Sequence, residues 1–117
     1  MVDEKKSLEE RVKIREPSLE GDEATEYITT AKDRIVLYGG FSKYDDRLDS
    51  ITVDVVLAMY RRKYHEGITS EGVDVFSTTF VDSLLDKYSI EFANLKRMIM
   101  IEDADEDNSG AGKLRFL

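Results

Sequence analysis

The chain has 117 residues, of which 41% are hydrophobic and 36% charged; it carries no cysteine and a net charge of −8. A chain of this size holds one domain with one core, and its apolar content excludes a disordered polymer. The lack of cysteine excludes disulfides and thiolate chemistry, and the acidic balance argues against wrapping DNA on an open face.

The first residues, Met1-Val2-Asp3-Glu4-Lys5-Lys6, lack the apolar core of a signal peptide, and no apolar run is long enough to cross a bilayer. Residues 1–20 alternate charges densely and read as a solvated lead-in. Within them Leu8, Val12 and Arg15 fall at helical spacing, and Ser7 with Glu10 forms a capping-box pattern, which predicts a short helix over 7–13. Pro17, the sole proline, ends it. A first long helix is expected over 21–38, with Asp22 and Glu23 at its positive end and Tyr27, Ile28, Ala31, Ile35 and Tyr38 on one face. Gly39-Gly40 stop it.

Phe41 to Asp46 then connect to a second helix, with Asp45 or Asp46 as its cap. This helix, 51–64, is apolar on most of its circumference: Val53, Val56, Leu57 and Tyr60 on one side, Ile51, Val55, Ala58 and Met59 on another. Such a helix is one that neighbours surround, and its short link to the first makes an antiparallel hairpin. It ends in Arg61, Arg62 and Lys63, where the carbonyl end of a helix favours cations. Residues 66–81 are too long for a tight turn. Val73, Val75 and Thr78-Thr79-Phe80-Val81 predict a loop with a partial β-ribbon. Helix resumes near Asp82 or Ser83, breaks near Ser89 and continues to about Met100 on a stripe of Ile90, Phe92, Leu95, Met98 and Ile99. Residues 102–110 hold the carboxylates of Glu102, Asp103, Asp105, Glu106 and Asp107 and no base, as expected of a mobile acidic loop. The last six residues alternate as an extended strand would. The expected architecture is therefore an all-α small helical bundle with a β-leaning loop and an extended C-terminal arm, organised as 1–20, 21–101 and 102–117.

Little catalytic chemistry fits. Asp103, Asp105 and Asp107 have the spacing of a calcium-loop start, but the glycine position is Asn108 and the bidentate glutamate position is Leu114. His65 is the sole histidine, so a His-rich metal site or a Cys–His dyad is excluded. Gly39-Gly40 and Gly67…Gly72 lack the Lys-Ser/Thr of a phosphate loop. No catalytic residue, metal or cofactor is expected.

Several pieces in order carry a resemblance. They are Ala58-Met59-Tyr60-Arg61 at the end of the apolar helix, Glu66-Gly67-Ile68-Thr69-Ser70-Glu71-Gly72, Ser77-Thr78-Thr79-Phe80, and the ending Gly112-Lys113-Leu114-Arg115-Phe116-Leu117. From about residue 22 onward the chain resembles the small head-tail connector (adaptor) proteins of long-tailed bacteriophages. The resemblance implies a structural protein of the virion neck, made in the host cytoplasm and assembled as a dodecameric ring beneath the portal protein. That ring would extend the DNA channel without binding DNA specifically and offer a platform to the next neck or tail completion protein. As a subunit contact, Arg61 or Arg62 would pair with Glu66 or Glu71 of the next protomer, the alternative being a solvated helix end. Phe76 and Phe80 are core caps or part of that interface. Lys113, Leu114, Arg115, Phe116 and Leu117 form an arm that docks on the portal, a neighbouring protomer or the chain's own 73–81 ribbon by strand addition. A different class also fits the composition: an acidic regulatory or inhibitory protein that binds a host protein or mimics DNA. A tail-proximal completion protein stays within the virion class.

Overall fold

The computed structural model describes residues 6–64 and 77–111, with side chains in the second stretch as far as Asp105. Every regular element among the described residues is helical: α1 (Leu8–Arg15), α2 (Gly21–Gly39), a 3-10 turn (Asp46–Leu48), α3 (Asp49–Tyr64), α4 (Thr78–Leu85), a second 3-10 turn (Asp86–Tyr88) and α5 (Ser89–Ala111). The chain divides into two compact units, 1–87 and 88–117.

The first unit is built around α3, which packs against α1, α2 and α4. Val53, Val55, Val56, Leu57 and Met59 are at most 1% exposed, and each such side chain contributes roughly 1.5–3 kcal/mol through burial. The start of α2 meets the end of α3: Tyr64 of α3 donates to Glu23 of α2 at 2.7 Å, so the pair runs antiparallel as expected. Gly40, at φ 74°, caps α2 in the left-handed conformation that glycine adopts cheaply. Gly39 matters differently. A Cβ there would lie 2.4 Å from the Phe41 ring, so only glycine leaves Phe41 room to fold back on the helix end. Asp45 caps the 3-10 turn that feeds α3 by accepting the Arg47 amide at 2.8 Å.

Around this core the predicted capping box forms at α1: Ser7 Oγ accepts the Glu10 amide at 3.1 Å, and Glu10 Oε1 accepts the Ser7 amide at 2.8 Å. The segment is not a detached solvated lead-in, however. Val12 and Leu19 are fully buried and α1 packs on α2 and α3. Buried Val12 and Leu19 outweigh the surrounding charges, and two of those charges reach α3: Arg11 Nη2 donates to Ser50 Oγ at 3.0 Å and Arg15 pairs with Asp54 at 3.1 Å.

Three further expectations are corrected. Thr78-Thr79-Phe80-Val81 is helix, not ribbon. Ser77 caps it by accepting the Phe80 amide at 3.1 Å, and Val81 and Leu85, four apart, are both fully buried. Cap and burial override β propensity here. The backbone of 102–111 continues α5 instead of forming a loop; extending an existing helix costs far less than nucleating one. On the α5 stripe only Phe92 and Leu95 are buried, while Ile90 and Met98 are exposed. The expected break before Ser89 is present as the second 3-10 turn. Val73, Val75 and the 112–117 arm lie outside the described residues.

Candidate functional site

The basic end of α3 divides its three cations between two tasks. Arg62 is half-buried, with its guanidinium 4.9 Å from the centre of the Phe80 ring of α4. That cation–π contact ties α3 to α4 and gives Phe80 an internal role beside Arg62. Arg61 and Lys63 are exposed. Lys63 Nζ lies 5.1 Å over the ring of Tyr64, which is itself 49% exposed. The helix thus delivers two cations and an aromatic face to solvent from a rigid, buried shaft, where the helix dipole also favours positive charge.

Behind this end stands an aromatic ladder. The Tyr60 and Tyr64 rings are 4.6 Å apart, and Tyr27 of α2 lies 6.4 Å from Tyr60. Burial, and after it the Glu23 carboxylate, pushes the Tyr27 phenol well above its ordinary range. The Tyr64 phenol is also raised, first by its hydrogen bond to Glu23. Both stay protonated at neutral pH and so stand as neutral rings behind the charged tip.

The opposite end of α3 holds a polar network that the sequence reading missed. Tyr44 donates to Asp49 Oδ1 at 2.6 Å and lies 2.8 Å from Thr52 Oγ1, which donates to the Leu48 carbonyl at 3.1 Å. Lys32 Nζ sits 4.6 Å from the centre of the Tyr44 ring. Asp49 is 8% exposed and Thr52 fully buried. The signal was present as Asp49 and Thr52, one turn apart on a single face, but an aspartate beside a helix start reads first as a cap. A shallow cavity of about 300 Å³ adjoins this network, lined by Lys6, Ser7, Leu8, Lys32, Tyr44 and Asp46 together with Asp49. Of its lining, Ser7 serves the α1 cap and Tyr44 and Asp49 serve the start of α3.

A second cross-link missed from sequence joins α2 to α4. Arg34 Nη2 reaches both carboxylate oxygens of Asp82, at 3.0 and 3.2 Å, with both side chains less than one-third exposed. Among the described residues no group of three or more His, Cys, Asp or Glu side chains converges as a metal site requires, and no helix is long and apolar enough to cross a membrane. Of the residues singled out from sequence, Arg61, Arg62, Lys63 and Phe80 meet at one end of the first unit. Glu66, Glu71, Phe76, Lys113, Leu114, Arg115, Phe116 and Leu117 lie outside the described residues. No protein-family model, curated protein or solved structure matches the chain.

Proposed function

We propose that this chain is a structural connector of a tailed-phage neck, assembling as a ring beneath the portal protein and extending the DNA channel toward the tail. The observation that carries the reading is the tip of α3. The Ala58-Met59-Tyr60-Arg61 segment that bears the resemblance lies near the end of a helix surrounded by its neighbours; its Arg61 is exposed, and so is Lys63 beside Tyr64. A rigid shaft with an exposed basic tip suits a head-to-tail contact with an acidic surface of the next protomer, and such a contact closes into a ring when the rotation allows. Glu66 and Glu71 supply the carboxylates in the proposed contact. Assembly then rests on shape and charge, without bond-making chemistry, and the net charge of −8 lets duplex DNA pass without being held.

The test is negative-stain imaging of the purified protein with and without the portal protein of the same phage. Rings stacked on portals are expected. The variant Arg61→Glu with Lys63→Glu should remove them while leaving the fold intact, because neither residue is buried. Arg62 is the wrong probe, since its contact with Phe80 belongs to the subunit. Portals without added density would refute the connector reading. Competition with duplex DNA for a host DNA-binding protein would instead favour the acidic-mimic reading.

A further inference from the structure

Helix α5 is apolar on two opposite sides. One side carries Phe92 and Leu95, which are 2% and 6% exposed. The other carries Ile90 and Ile101, which are 73% and 55% exposed, flanked by Met98 at 46%. At 100° per residue the centre of this second side lies about half a turn from the first. Ala93, Asn94, Arg97, Ala104 and Asp105 complete it, all exposed. Ile90 and Ile101 stand three turns apart with Asn94 and Arg97 between them, so the apolar part of this side centres on Ile101 with Met98 next to it.

The charges on α5 say what covers it. Arg97 lies four residues before Ile101 and Asp105 four residues after, on the same side of the helix. A second α5 laid antiparallel across Ile101 places Ile101 on Ile101. It also sets Arg97 of each copy against Asp105 of the other, and Met98 against Ala104. The helix is therefore complementary to itself in charge as well as in apolarity. A parallel pairing has the opposite result, stacking arginine on arginine and aspartate on aspartate, which repel at close range. Small Ala104, one turn from the central isoleucine, lets two helices approach closely there. Arg97 keeps its reach, because its one described hydrogen bond is within the helix, from Nη1 to Asn94 Oδ1 at 3.0 Å.

We infer that the outer face of α5 is a homodimer surface, pairing two copies of this chain antiparallel about a two-fold axis through Ile101. The contact is isologous, so it closes at two copies and cannot by itself build a ring. It is distinct from the α3 tip, and its truth does not depend on the connector reading.

Sedimentation equilibrium of the full chain over a concentration series tests it, without a portal present. A monomer–dimer equilibrium is expected. Ile101→Asp should raise the dissociation constant at least tenfold, because two carboxylates then meet at the axis. Arg97→Asp and Asp105→Arg should each weaken the dimer several-fold. The double variant carrying both changes should restore it, since the pair is then inverted and still complementary. Circular dichroism should show unchanged helicity in all four, as each altered side chain is exposed. The proposal is overturned by a monomer at every concentration, by a dimer indifferent to Ile101→Asp, or by a double variant no tighter than the single ones. Arg61→Glu with Lys63→Glu should leave this dimer unchanged. Loss of the dimer in that variant would move the contact to the α3 tip and overturn the assignment to α5.

Discussion

Helices α3 and α5 look alike on paper and live differently. Both carry apolar residues on most sides. In α3 these are dominated by valine, and its own chain covers them: Val53, Val56 and Met59 are fully buried. In α5 the apolar residues past the first turns are methionine and isoleucine, and Met98, Met100 and Ile101 are 46, 69 and 55% exposed. Residue type alone does not set the difference, since Met59 is buried in α3 and β-branched Ile101 is exposed in α5; what differs is whether the chain's own helices cover the face. An all-round apolar helix is therefore a demand for neighbours, and the demand is met either within the subunit or by another one.

The sharpest way to break this contrast is to cut the same kind of side chain from each helix. Leu57→Ala in α3 should cost about 2–5 kcal/mol of unfolding free energy. Met100→Ala in α5 should stay within about 0.5 kcal/mol. Urea denaturation of the two variants measures both, and similar losses would mean that α5 is held as tightly as α3. Next in size is the polar start of α3. Tyr44→Phe removes the phenol's bond to buried Asp49 and should cost about 1–3 kcal/mol, again read by urea midpoint. A smaller effect is expected at the helix that covers α3 from the N-terminal side. Ser7→Ala dismantles the capping box of α1 and should cost about 1 kcal/mol, with hydrogen exchange rising first in α1. The smallest is an acid effect. The Arg47 side chain, bonded to Asp45, holds that carboxyl below its usual range. Its folded value lies under its unfolded value, so its contribution is present above about pH 4 and fades as pH falls through the folded value. Asp45→Asn should therefore lower stability slightly at neutral pH and flatten its fall in acid, as a pH series of melting curves would show.

Local rules made much of this fold legible. Ser7 with Glu10, Gly40 after an apolar stripe, and Asp45 before a helix start each announce themselves through a hydrogen bond or dihedral that only a few residue types supply. The surrounded character of α3 was visible in the same way, because its apolar residues span the wheel. What stayed hidden depended on partners distant in sequence. Thr78 to Val81 look like a strand until Val81 and Leu85 are seen to be buried together. The lead-in looks solvated until Val12 meets the core. The link from Arg34 to Asp82 spans 48 positions, and no local pattern marks it. At the candidate interface the sequence put Arg61, Arg62 and Lys63 together as equivalent, and only the Phe80 ring separates the internal cation from the outward two.

The aromatic ladder has an optical consequence. The chain holds no tryptophan, so its ultraviolet emission comes from tyrosine alone. With Tyr60 and Tyr64 only 4.6 Å apart and Tyr27 at 6.4 Å from Tyr60, excitation hops among three rings shared between α2 and α3 before it is emitted. The Tyr64 phenol gives its hydrogen bond to the Glu23 carboxylate, a contact that drains excited-state energy. Native protein should be dim and depolarised, and any event that parts α3 from α2 should brighten it. The molecule carries its own unlabelled gauge of whether its central hairpin is closed.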